Sequence, residues 1–317
     1  MTGPLDLAAE SLIHGLVTAV TIEVLIRRVP IDAPGDRFPY RVLTLVLPLV
    51  LPLVFLWLTP WRASDAFADV ALLSIDRWWP IRLGPVPLHV LALSTLGAIG
   101  IWLLAHDLWS GARHWWHDRH AARHHRQRTD VPAEVTSAIA QLASHGGIAP
   151  PPVVLLDGSA AVLHCRGLRD PRVYMSSLVI DRLSADELAG ALAHEVSHVA
   201  HHDVARIWGL TVLRVLQWFN PVAQLVARQA LQELEWRADA DAARATGRPG
   251  ALARALLSCV RGRDTEFLGL LGKGRVAALE RRCRRLLAGI PARARLGRAA
   301  DLVAVGAAIS VLLFFVV

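Results

Sequence analysis

Cysteine is scarce in this chain, with three in 317 residues. Cys165, Cys259 and Cys283 are far apart and form no C-x-x-C pair, which excludes a zinc site closed by cysteine pairs and a disulfide framework. A glycine-rich phosphate loop and an internal repeat are both missing, so no feature points to a phosphate-cradling enzyme or a solenoid. The formal charge is +7, but arginine is spread over several loops and no aromatic–basic RNA motif occurs, so direct nucleic-acid binding is not expected. A basic leader region is lacking too. Asp6 and Glu10 stand in its place and the apolar stretch behind them is too long, so the start reads as a membrane span and not as a signal peptide.

What the chain does have is apolar length. Hydrophobic residues make up 54% and mean hydropathy is +0.39. Four segments, 7–26, 42–58, 86–105 and 299–317, are candidate transmembrane helices, since a span needs roughly 20 apolar residues and about 17 at least. Pro48 and Pro52 imply a kink in the second that neighbouring helices must cover. Arg27, Arg28, Arg37 and Arg41 follow the first span, and Arg113, Arg119, Arg123, Arg126 and Arg128 follow the third. The loop 59–85 has Arg62, Arg77 and Arg82, offset by Asp65, Asp69 and Asp76. The bias of basic residues toward the cytosol therefore places both termini outside and the region between spans three and four inside, with reduced thiols. The expected fold is a mainly α polytopic membrane protein with four transmembrane helices. An α+β zincin-like domain over 131–296 is inserted between the third and fourth, after a membrane domain over 1–110 and a basic segment over 111–130.

His194-Glu195-Val196-Ser197-His198 carries the chemistry. On a helix the two histidines, four residues apart, face one way and can ligate a single zinc ion, while Glu195 can hold and deprotonate a water. Ser184 and Glu187 have the form of a capping box, and the apolar pattern predicts a helix from about 185 to 202. His201 lies about 10 Å along the axis from His194, too far to join the same tetrahedral ion. The metzincin pattern fails, because His201 and Val204 stand where Gly and His are required. Asn220-Pro221 opens a second helix over 222–246, ending at Gly247. There Glu235 and Asp239 share a face, so Glu235 can ligate zinc while Asp239 accepts a hydrogen bond from a ligating imidazole; the alternative is two solvated charges on an amphipathic helix. Glu233 competes with Glu235 but points to another face from Asp239.

Elsewhere, 131–145 reads as a helix ended by Gly146-Gly147. Segments 152–156 and 160–165, separated by Asp157-Gly158-Ser159, read as a hairpin, and 172–176 as a short strand. The stretch 109–128 is crowded with His, Arg and Trp. It reads as a basic aromatic helix lying on anionic lipid, with a second metal site at His117, His120 and His124 as the competing reading. The 13-residue segment 207–219 is too short to span, and is expected to lie against the membrane or to pack on the zinc domain.

The HEVSH motif, Asp203, Phe219-Asn220-Pro221 and the later Glu235-Trp236-Arg237-Ala238-Asp239 together resemble the integral-membrane metallopeptidases of the BlaR/MecR antirepressor type. They are more distantly similar to the HtpX-like and CAAX-prenyl-type membrane zinc endopeptidases. The resemblance covers 131–288, and Asn-Pro before the second helix favours the antirepressor type. It implies one Zn2+ held by His194, His198 and Glu235, with Glu195 as general base and Asp239 behind a ligating imidazole. It also implies that the strand 172–176 is a sheet edge that pairs with substrate backbone. The partners implied are the lipid bilayer of a bacterial-type plasma membrane and a protein or peptide substrate, such as a winged-helix repressor of the BlaI type. The penicillin-binding sensor domain of the best-known members has no counterpart before Val317. Membrane-protein quality control and a non-proteolytic signalling scaffold are the alternative functions.

Overall fold

The computed structural model describes residues 4–29, 33–74, 81–124, 127–128, 130–157, 162–261, 272–289 and 299–316. Helices α1 (Pro4–Arg28), α2 (Phe38–Leu58) and, after the short α3 (Asp65–Ala68) and the two-residue strands β1 (Arg82–Leu83) and β2 (Val86–Pro87), α4 (Leu88–His124) supply three segments long and apolar enough to cross a membrane. These segments are Asp6–Arg28, Phe38–Leu58 and Leu88–Trp109. Pro48 and Pro52 lie inside α2 at buried positions, where the packing of neighbouring helices shields the backbone each proline disturbs.

Past β3 (Gln127–Arg128) come α5 (Ala133–His145), β4 (Val153–Leu156), β5 (Leu163–Arg166), β6 (Arg172–Ser176) and α6 (Ser177–Arg182). The remaining helices are α7 (Ala185–Ala200), α8 (Asp203–Leu216), α9 (Pro221–Thr246), α10 (Pro249–Arg261), α11 (Gly272–Ala288) and α12 (Ala299–Phe314). The expected fourth span corresponds to α12. At 16 residues it extends about 24 Å, short of a bilayer core of about 30 Å. It packs back on the first two helices, where Ile309 and Leu313 join Ile22, Ile26, Tyr40 and Phe55 in one apolar cluster.

The four-stranded sheet runs β3-β4-β6-β5, with β4 and β6 parallel and the outer pairs antiparallel. This corrects two expectations. β4 and β5 do not form a hairpin, because β6 lies between them, and β6 is an inner strand, not an edge. The burial of the strands accounts for both. β6 carries fully buried Val173 and Met175, whereas β5 is half-exposed along its length, so the apolar strand takes the interior and Leu163–Arg166 becomes the edge. Met175 packs with Val135, Ile139, Leu155, Leu192 and Val196 in the core between the sheet, α5 and α7. Residues 109–124 continue α4 as helix, but the side chains of His117, His120 and His124 lie outside the described residues.

Candidate metal centre

Helix α7 begins where the sequence places it. Ser184 Oγ accepts from the Glu187 amide at 3.4 Å, and Glu187 Oε2 accepts from the Ser184 amide at 3.1 Å. Leu192 and Val196 turn into the sheet-side core, which directs His194 and His198 toward α9. The helix closes at Ala200, with His201 as its C-cap, two residues earlier than expected. His202 then adopts a left-handed conformation at φ 53°, and α8 sets off in a new direction from Asp203.

The two imidazoles meet edge to face, with Nε2 atoms 3.1 Å apart. Glu235 reaches both from α9, its Oε2 lying 3.7 Å from His194 Nε2 and its Oε1 3.7 Å from His198 Nε2. A tetrahedral ion with bonds of about 2.0–2.2 Å separates its ligand atoms by about 3.3–3.6 Å. The measured spacings bracket that range, so this donor set of two nitrogens and a carboxylate fits a zinc-sized ion. Glu195 is buried and lines the same cleft.

Each imidazole is held from behind. His194 Nδ1 lies 3.1 Å from Asp239 Oδ1 and His198 Nδ1 lies 2.8 Å from Asp203 Oδ2. Carboxylates at both Nδ1 atoms turn both Nε2 atoms to one point. Arg282, on α11, donates to both Asp239 oxygens at 2.7 Å and lies 2.8 Å from Glu235 Oε2. Arg237 donates to Asp203, and Arg206 stands 3.5 Å from the same carboxyl.

These contacts set the charges. Burial alone raises the Asp239 carboxyl, but the Arg282 guanidinium and His194 outweigh it and hold it well below the usual carboxylate range. Asp203 is lowered in the same way, by His198 and Arg237 against burial. Glu235 is lowered by Arg282 and the two imidazoles, again against desolvation. For His198 burial favours the neutral ring, yet the Asp203 hydrogen bond with the Glu235 and Glu195 charges pushes its pKa up to about 9. Burial, with Glu195 and Asp203 nearby, pushes the Cys165 thiol up to about 12, which leaves it an unreactive wall residue.

The cleft in front of the imidazoles has a volume of about 400 Å³. Its walls come from the β5 edge (Leu163, His164), the start of α8 (Val204, Ile207) and α11 (Arg282). Tyr174 stacks on His164, with ring centroids 5.6 Å apart.

The BlaR1 peptidase M56 family profile matches residues 13–284 of the chain. The chain belongs to the BlaR1 peptidase M56 family. Among curated relatives, the "Protease HtpX homolog 1" of Streptomyces coelicolor is 30% identical over 172 residues, 49% of this chain and 54% of that protein. The "Protease HtpX" of Legionella pneumophila is 28% identical over 159 residues, 39% of this chain and 56% of that protein. The chain thus spans about half the length of the curated relatives it matches. The crystal structure of S. mikatae Ste24p aligns with a TM-score of 0.33 at 16% identity, over 43% of this chain and 44% of that one. Membership in this peptidase family and the three apolar helices make the chain an integral membrane protein.

Within this M56 chain, His194, His198 and Glu235 form the one group of metal-capable side chains found among the described residues, with their ligand atoms within 4.8 Å of one another. Glu233 faces elsewhere, as the helix geometry requires. It is buried, and its Oε2 accepts from the Gly35 amide at 3.4 Å. His201 turns to the far side of α7 and pairs with Asp241 at 3.1 Å. The sequence reading singled out no role for Asp203, Arg237 or Arg282. Asp203 carried a signal in its place just past the motif. Arg282 carried none, being one arginine of a run 88 residues beyond His194.

Proposed function

We propose that this M56 protein is a zinc-dependent endopeptidase and that His194, His198 and Glu235 hold a single zinc ion. The observation that carries this reading is the convergence of the two Nε2 atoms and the Glu235 carboxylate at tetrahedral spacing, with a carboxylate behind each imidazole. Zinc bound there supplies Lewis acidity for a peptide carbonyl and lowers the pKa of a water toward about 7. Glu195 is the general base; it takes the proton of the attacking water and hands it to the leaving amine. Asp239 and Asp203 keep the imidazoles in the ligating tautomer, and Arg282 keeps Asp239 ionised. The substrate backbone adds to the β5 edge beside the cleft, a role that the inner position of β6 denies to that strand.

The substrate favoured by family membership is a cytosolic regulator, such as a BlaI-type repressor, cleaved in response to a signal received at the membrane. This reading takes both termini to be outside and the catalytic region to be cytosolic, as the arginine bias indicates. A membrane-protein substrate is the second reading. It is favoured by Ile207, which lines the cleft and is also exposed on a helix with a long apolar face.

The deciding experiment incubates the purified full chain with candidate repressors and membrane proteins, with and without chelator, and maps products by mass. Glu195→Ala should retain metal and cleave nothing. Full proteolysis by that variant would falsify the assignment of the base, and signalling by an uncleaving variant would convert the reading to a scaffold.

A further inference from the structure

Helix α8 has two faces of opposite character. Leu210 and Arg214 are buried, as is the C-cap Gln217, while Trp208, Val212, Val215 and Leu216 on the helix and Trp218 in the turn just past it are between 45% and 60% exposed. An apolar stripe at that helical spacing is unusual on a surface that meets water.

The chain at the end of α8 explains the stripe, because the turn joining it to α9 sits among the membrane helices. Gln217 Nε2 donates to the Leu45 carbonyl of α2 at 2.9 Å. A Cβ added at Gly100 of α4 would stand 2.7 Å from the Phe219 carbonyl carbon, and one at Gly15 of α1 would stand 2.9 Å from Asn220 Nδ2. Two glycines on two spans therefore let this turn approach closely. Leu45 and Gly100 are seven and nine residues in from Phe38 and Trp109, which is about 10–14 Å along the helices. The half-thickness of a hydrocarbon core is about 15 Å, so the turn reaches close to mid-depth.

Irregular backbone survives at that depth only when protein satisfies its polar groups, and here it does. Asn220 Oδ1 accepts from the Val222 and Ala223 amides at 3.0 and 3.3 Å. Gln224 Nε2 donates to the Arg214 and Gln217 carbonyls at 3.0 and 3.1 Å, and its Oε1 accepts from Arg214 Nε at 3.0 Å. Polarity is also graded with depth. The neutral amides of Gln217 and Asn220 hold the turn, whereas the charged group, Asp107 with Arg214 and Arg228, sits two residues from the end of the third span.

We infer that α8 and the first turns of α9 form a re-entrant hairpin that dips into the bilayer and returns on the side of the metal centre, with Val212, Val215, Leu216 and Trp218 against lipid acyl chains. This inference does not depend on the proteolytic reading. It goes beyond the expectation that 207–219 either lies against the membrane or packs on the zinc domain.

The test uses the full wild-type chain in phosphatidylcholine vesicles containing a photoactivatable diazirine, placed mid-way along the acyl chain in one set and at the headgroup in another. Labelled peptides are then mapped by mass. The expected result is mid-chain labelling of 212–218 as heavy as that of Leu88–Trp109, with the headgroup probe confined to the start of α8. Headgroup labelling spread evenly over 203–218, without mid-chain labelling, would mean a helix lying flat on the surface and would overturn the inference. Absence of label from 203–220 while α4 is labelled would overturn it as well.

Discussion

At His198 two opposing effects meet. Burial disfavours the imidazolium, but Asp203, Glu235 and Glu195 favour it more strongly, and the pKa rises to about 9 from an unfolded value of about 6.5. The sign follows from this raised value. In the metal-free protein the charged ring contributes stability that is fully present below about pH 6.5 and is lost as pH rises through about 9. Thermal stability of the metal-free chain should therefore decline across that window. An imidazole that ligates zinc must be neutral, so metal binding near pH 7.5 should release a proton from this ring and tighten as pH rises. Calorimetry in buffers of different ionisation heat reads that proton, and binding without proton release would contradict the assignment. Asp203 itself accepts from His198 at 2.8 Å, and removing such an outer carboxylate typically weakens metal binding about 10- to 100-fold. Asp203→Asn should show that loss in competition with a coloured chelator; an unchanged affinity would remove Asp203 from the site.

Among the elements, α7 and α9 were legible because their signals are local. A capping box, an Asn-Pro start, a Gly247 end and a four-residue spacing of site residues need no knowledge of the fold. The sheet was not legible. Its central pairing, β4 with β6, is parallel and joins residues 20 apart, such as Val153 and Val173, while the turn-like Asp157-Gly158-Ser159 suggested a local hairpin that the packing does not make. The junction of α7 and α8 was hidden too, since nothing marks His202 as left-handed. A non-glycine residue there costs roughly 1–2 kcal/mol, and the turn is what swings Asp203 back to His198. His202→Gly should keep metal affinity and raise stability by up to about that amount, whereas His202→Val, with its β-branch at positive φ, should destabilise. Melting curves of the two variants decide this, and equal melting temperatures would mean that the turn is unstrained.

For the whole molecule, the sequence pattern located the membrane region and the metal region but not how they touch. The loop between α1 and α2 packs directly on α9. Gly35 sits at φ +88°, and a Cβ there would lie 3.0 Å from Arg237 Cβ. Arg237 holds Asp203, and Asp203 holds His198, so the first two membrane helices are three contacts from a site imidazole. A shift of that loop should accordingly be felt at the metal. Gly84 provides the comparison, because it has φ +62° with no atom within 4 Å of a would-be Cβ. Alanine at either position carries the backbone penalty of roughly 1–2 kcal/mol, but only Gly35→Ala also pushes on Arg237. Both variants should lose stability, and only Gly35→Ala should lose metal affinity and with it chelator resistance. If the two variants held metal equally well, the loop would be a structural support alone, and any signal from the membrane helices would have to reach the site through Asp107, where α4 grips Arg228 two turns before Glu235 on the ligand helix.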